Sequence, residues 1–280
     1  MNLLFKTRLS ALVIVSAFAL SGCSGGSMDQ TVKSAAQNMD SKSYRSEIKI
    51  ETQITDGRNT GTSLSKYEME TIFEPSFSTR ILTGTYYDDE ETPEVLMYVI
   101  ENENATDAFI NYDGEWIKQS VEKELAESDL KQYDAALLAK NYLKYAGDFK
   151  REKKMEGGYT AYRGVIKSAD IRNAVKEAGS FKSSGIELIP NSYFTKLKDI
   201  EVTAYIDSKD RLCGLALDVG EVMQLIFEQA YYDESINDYK DMKYGKMRIE
   251  TYIYDFDAVS EIKLPKEAEN AREYSNETGK

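Results

Sequence analysis

Two thiols and no imidazole bound the chemistry open to this chain. Cys23 and Cys213 are its only cysteines, and no histidine occurs in 280 residues. Histidine-based general bases, Ser-His-Asp and Cys-His nucleophile systems and imidazole metal sites are therefore excluded. The 48 acidic residues form several clusters: Asp88-Asp89-Glu90-Glu91, Asp233-Glu234 with Asp238, and Asp255 with Asp257. A calcium loop spaces its ligands as Asp-x-Asp-x-Asp-Gly so that alternate side chains converge on the ion. None of the clusters has that spacing, and each reads as solvated surface, so no metal site and no cofactor are expected. Paired carboxylates could run glycoside hydrolysis, but nothing in the sequence marks one pair as buried. No glycine-rich phosphate loop follows a strand pattern, since Gly22, Gly25 and Gly26 lie near the N-terminus. No catalytic residue is assigned, and the chain is not expected to be an enzyme. The 20 tyrosines and Trp116 could form a binding platform, yet tyrosine is also a favoured strand residue.

The thiol of Cys23 has a more specific setting. Residues 1–22 begin with Lys6 and Arg8, continue through an uncharged run from Leu9 to Leu20 and end in Ser21 and Gly22. This is the three-part pattern of an export signal. As a helix, the apolar run would extend about 18 Å, too short for a hydrocarbon core ~30 Å thick. Leu20-Ser21-Gly22-Cys23 resembles the lipobox of bacterial lipoproteins. That resemblance implies a diacylglyceryl thioether on the Cys23 sulfur and cleavage just before it. Two acyl chains hold a protein on a bilayer where one holds only marginally. The expectation is a cell-membrane protein, lipid-anchored through diacylglyceryl-Cys23 on the extracytoplasmic face. Without residues 1–22 the formal charge shifts from −13 to −15, which repels phosphate backbones and excludes nucleic acid as a partner. Acylation of Cys23 leaves Cys213 with no disulfide partner. Cys213 reads as a buried small hydrophobe, sharing one strand face with Leu215, Leu217 and Val219.

The elements that must carry these residues follow from periodicity. A tether, 23–29, leads into a folded domain, 30–267, and the polar residues 268–280 form a loose tail. A short helix is expected near 29–39. Period-two alternation then sets in, with Tyr44, Ser46, Ile48, Ile50, Thr52 and Ile54 opposed by charged and polar neighbours. Such a strand would run about 36 Å at ~3.3 Å per residue. Tyr67, Met69, Thr71 and Phe73 alternate in the same way, and further strands are expected at 77–86, 95–101 and 106–118. Asp56-Gly57, Asp113-Gly114 and Gly157-Gly158 are turn signals, because glycine reaches positive φ without steric penalty. A helix with Leu130, Tyr133, Leu137, Leu138, Tyr142 and Tyr145 on one side, capped by Ser128 or Asp129, interrupts the strands. Strands at 148–156 and 159–167 follow, then a helix over 169–178 closed by Gly179, and a hairpin of 200–206 with 212–219 turning at Asp207–Asp210. A third helix, 220–232, and a last strand, 246–256, complete the chain. Strands do not alternate with helices as the two lobes of a solute receptor would require.

This order, with Tyr112-Asp113-Gly114-Glu115-Trp116 in a strand-turn-strand setting and the ending Ile262-Lys263-Leu264-Pro265-Lys266, resembles the LolA/LppX/LprG-type envelope lipoproteins and most closely their Gram-positive relatives of unknown function. The resemblance covers nearly all of residues 30–267. It implies an α+β fold: a strongly curved antiparallel sheet, or half-barrel, with helices covering its concave face and acyl chains or another amphiphile held between. The candidate cavity-lining residues are Ile48, Ile50, Met69, Phe73, Leu137, Leu138, Val222, Met223, Ile226 and Phe227. Close packing is the default for interiors, so a filled core is equally compatible with the pattern. In that case the chain would be an envelope interaction or structural protein with a protein partner.

Overall fold

The computed structural model describes residues 27–39, 41–88, 90–102, 105–123, 126, 130, 133–154, 158–179, 181, 186–231 and 242–274. The export signal, Cys23, the expected caps Ser128 and Asp129, and the acids Asp89, Asp233, Glu234 and Asp238 lie outside them, as do Gly157 and the end of the third helix at Tyr232.

Alternation drives the first half into a meander. Strands β1 (Ser43–Thr55) and β2 (Thr60–Ile72) pair along their full length, from Ser43 opposite Ile72 to Thr55 opposite Thr60. In the loop between them, Asp56 Oδ1 accepts from the backbone N–H groups of Arg58 at 2.8 Å and Asn59 at 2.7 Å. Next come β3 (Ser78–Tyr87), the short β4 (Glu90–Glu91), β5 (Val95–Glu101), β6 (Thr106–Tyr112) and β7 (Glu115–Val121). The stretch 106–118 is a hairpin that turns at Asp113-Gly114, as the strand-turn-strand reading expects. Asp113 and Gly114 at its tip have φ of 51° and 84°, the double positive-φ geometry that suits the twist of the flanking strands.

The second half builds another meander from β8 (Ala146–Lys154), β9 (Thr160–Ile166), β10 (Ile200–Ile206), β11 (Leu212–Asp218) and β12 (Lys243–Tyr254). Pairing of β1 with β12 joins the halves into one open sheet in the order β13-β7-β6-β5-β3-β2-β1-β12-β11-β10-β9-β8, with β4 beside β3. All neighbours are antiparallel except β13 (Arg272–Glu273), which runs parallel to β7. The sheet is strongly curved and does not close, giving the expected α+β half-barrel.

Helices cover the concave face. Helix α1 (Met28–Gln37) starts inside the segment read as tether, with Ser27 as its N-cap. Its Asp29 accepts from Phe149 N at 2.8 Å, fastening the helix to β8. Helix α2 (Ala135–Tyr145) packs on β1, β8, β11 and β12, and the fully buried Ala135 and Ala139 let it lie close to the sheet. Its N-cap is Asp134, so Leu130 and Tyr133 precede the helix rather than belong to it. Helix α3 (Ile171–Ala178) ends at Gly179, whose φ of 74° allows the left-handed C-cap. A single-turn helix, α4 (Asn191–Phe194), follows, and α5 (Gly220–Ile226) passes into a π-helical turn over Phe227–Tyr231.

Two local expectations change. Tyr205 pairs with Gly214 and Ile206 with Leu212, so Cys213 is an unpaired bulge residue. A bulge shifts the face on which side chains emerge, and Leu212 joins Leu215 and Leu217 in the core while Cys213 is buried outside it. Its thiol donates to the Tyr205 carbonyl at 3.2 Å, and burial pushes its pKa up to about 12, as expected of an inert thiol. The chain from 268 is also less loose than its polarity suggested. Ala268 is fully buried in a 3-10 turn, Lys266–Asn270, and Tyr274 N donates to Lys118 O at 2.7 Å beyond β13.

Candidate ligand cavity

Most of the space between helices and sheet is filled. Tyr142, Leu143, Ile166, Leu215, Ile226 and Ile249 are all at or below 1% exposure. Packing loosens toward the β3–β6 side, where α2 begins. There a cavity of about 300 Å³ opens between Tyr44, Thr71, Phe73, Phe77, Thr79, Ile81, Glu101 and Thr106 on the sheet side and Lys123, Ala126, Leu130, Tyr133, Asp134 and Leu137 on the covering side. The wall is mainly aromatic and aliphatic. The Phe73 ring lies 5.2 Å from Tyr44 and 6.2 Å from Phe77, and Tyr133 lies 5.7 Å from Tyr67.

A few polar groups are fixed around this apolar space. The Tyr44 hydroxyl donates to Asp134 Oδ1 at 2.8 Å, and the same oxygen accepts from Leu137 N at 2.8 Å as the helix cap. Burial, reinforced by the neighbouring Asp134 carboxylate, pushes the Tyr44 phenol well above its ordinary range, so it stays protonated. Lys123 Nζ donates to Glu101 Oε1 at 2.7 Å, and Phe77 N donates to Oε2 at 3.3 Å. These bonds, that of Lys123 first, hold the Glu101 carboxyl below its usual range and therefore ionised. Thr71 and Thr79 face one another across β2 and β3 with hydroxyls 3.0 Å apart, and Thr79 Oγ1 also donates to Glu70 O at 3.1 Å. The arrangement suits apolar binding with polar orientation of one end. Among the described residues no group of three or more His, Cys, Asp or Glu is placed to hold a metal ion.

Of the residues read from the sequence as cavity candidates, Phe73 and Leu137 line this space. Ile48, Met69, Leu138, Val222 and Ile226 are buried in the packed core, and Ile50 and Met223 are half-buried against it. Phe227 is half-buried with its ring 5.7 Å from Tyr244. Val222 also borders a second hollow of about 280 Å³ beside α5, whose rim includes Lys198 and Glu221, paired at 2.9 Å. Phe77, Ile81 and the Glu101–Lys123 pair carry no mark in the sequence. The proximity of Phe73 and Phe77 across Pro75 is the one local signal that could have pointed to them.

The convex face is of another kind. Outward residues of β1, β2 and β12 form alternating ion pairs, including Arg45–Glu70 at 2.8 Å, Lys49–Glu47 at 2.7 Å and Arg248–Glu250 at 2.7 Å. Asp255 is paired with Arg45 at 2.8 Å, and Asp257 accepts from Lys42 N at 2.8 Å.

No protein-family model matches the chain, and neither does any curated protein sequence. Weakly similar solved structures include the following three. A DUF1329 family protein from Desulfovibrio piger is 12% identical, with 83% of this chain and 93% of that one covered and a TM-score of 0.23. A β-barrel-like DUF1849 protein from Brucella abortus is 9% identical, over 76% of this chain and 98% of that one, with a TM-score of 0.19. A domain assigned to outer membrane lipoprotein sorting from Vibrio parahaemolyticus is 11% identical, over 78% and 87%, again with a TM-score of 0.19. At such scores the likeness decides neither family nor function.

Proposed function

We propose that this chain is a membrane-anchored extracytoplasmic lipoprotein that binds or carries a lipid or other amphiphile in the cavity between β1–β3 and the start of α2. The apolar space bounded by Phe73, Phe77, Ile81, Leu130 and Leu137 carries this reading, because a protein interior closes such a space unless something is meant to occupy it. Its volume lies at the lower end of the range for small-molecule sites, ~300–1,000 Å³. Cys23 supplies the anchor in this reading, and Asp29, fastened to β8, starts the folded body only a few residues beyond it.

Binding of N-phenyl-1-naphthylamine, an apolar fluorescent probe, tests the cavity in the full chain carrying Cys23→Ser. Saturable enhancement of its fluorescence is expected, with loss in Leu137→Trp, where an indole fills the space. Equal binding in both proteins would contradict the reading. Cys23→Ser itself should move the protein from the membrane to the soluble fraction, and retention in the membrane would contradict the anchor.

A second reading rests on the closely packed centre of the core and the ion-paired convex face. In it the scaffold serves as an envelope interaction protein. Recovery of one partner equally by the parent chain and by Leu137→Trp, together with failure to bind the probe, is its expected signature.

A further inference from the structure

The polar groups of the cavity are unevenly divided between donors and acceptors. The single Thr79 hydroxyl proton is shared between two acceptors within reach, the Glu70 carbonyl at 3.1 Å and the Thr71 hydroxyl at 3.0 Å, and either threonine can be the donor in their mutual contact. At most one of the two threonine protons is left for a ligand. The Tyr44 proton is committed to Asp134. What remains is mostly lone pairs: those of Thr71, of the Glu101 carboxylate and of Asp134, with which no cation is paired among the described residues. Against them stand the remaining protons of Lys123 and the hydroxyls of Thr106 and Tyr133. Among the described residues of the wall Lys123 is the only cation, and Glu101 neutralises it at 2.7 Å, so with Asp134 those residues carry a net negative charge. The whole chain, at −13, adds a field of the same sign.

Resting on the function proposed above, we infer that the ligand is a single-chain amphiphile whose head donates hydrogen bonds and carries no negative charge, an amine or a polyol. A carboxylate or phosphate head would meet Glu101 and Asp134 as like charges and would find few free donors. One chain is inferred because the volume is small.

Three probes with the same twelve-carbon tail separate the outcomes: dodecylamine, 1-monolauroylglycerol and laurate. Each is titrated below its micelle concentration against the full chain carrying Cys23→Ser, with displacement of N-phenyl-1-naphthylamine as readout. The amine and the glyceride are expected to displace it at least about tenfold more tightly than laurate. The amine's advantage should survive about 0.5 M salt, which screens the general field. Preference for the amine or for the glyceride names the head. Laurate binding as tightly as both would overturn the inference and leave the cavity reading standing. Failure of the naphthylamine and of all three probes would overturn both. In the double variant Glu101→Gln with Asp134→Asn, laurate should gain about tenfold while the melting curve stays cooperative. Unchanged discrimination in a folded double variant would also overturn the inference.

Discussion

Thr251, in the middle of β12, is fully buried between Ile48 of β1 and Leu215 of β11, and its hydroxyl has no hydrogen-bond partner among the described residues. The Ser46 hydroxyl, on the same inward face, is in the same position. A buried polar atom without a partner costs about 1–3 kcal/mol, whereas an apolar group of the same shape avoids that cost. Thr251→Val should therefore leave stability unchanged or raise it by about 1 kcal/mol, read as the urea midpoint of unfolding. A loss of that size would show that the hydroxyl is bonded in solution. The neighbouring Gly214 explains why the backbone is so close here: a Cβ on it would sit 2.5 Å from the Thr251 carbonyl oxygen.

Helix α2 links stability to the cavity through one carboxylate. Asp134 caps the helix at Leu137 N and receives the Tyr44 hydroxyl from β1, 90 residues away in sequence. Asp134→Ala removes a cap, worth about 1 kcal/mol, and orphans a buried phenol, for a further cost on the order of 1 kcal/mol. Asp134→Asn keeps one side-chain oxygen able to accept both bonds and should retain most of the parent stability. Equal losses in the two variants by thermal unfolding would contradict the dual role. This element also marks how far the sequence could be read. Its inward residues Leu138 and Tyr142 follow from periodicity, but its start does not, because Leu130 and Tyr133 continue the apolar spacing ahead of the helix. The hairpin at Asp113-Gly114 was legible as a turn because two positive-φ positions need those residues. The bulge at Cys213 was not, since an inserted residue leaves a local alternation pattern looking intact. The cavity was least legible. Its wall joins Tyr44, Phe77, Glu101 and Leu137, which only the pairing order of distant strands brings together.

The whole molecule is two meanders zipped along β1 and β12 and sealed by helices on one side. Its response to alkali follows from groups held protonated by that burial. Burial raises Tyr44, Tyr205, Tyr252 and Cys213, with Tyr252 and Cys213 each pushed up to about 12. In the unfolded chain these groups release protons at ordinary values, ~8.5 for cysteine and ~10 for tyrosine. Above those values the unfolded state binds fewer protons than the native one, so stability falls as pH rises. The melting temperature should be flat to about pH 8.5 and then drop progressively toward pH 11. A constant melting temperature through that window would contradict the burial of these groups.

Native mass spectrometry of the full chain carrying Cys23→Ser, purified from cells without detergent, tests the central claim most directly. A fraction of the protein should carry one added mass that falls in the range of a single-chain amphiphile, and Leu137→Trp, made the same way, should lack it. Bare protein in both preparations, or the same added mass in both, would contradict a ligand housed between β1–β3 and α2.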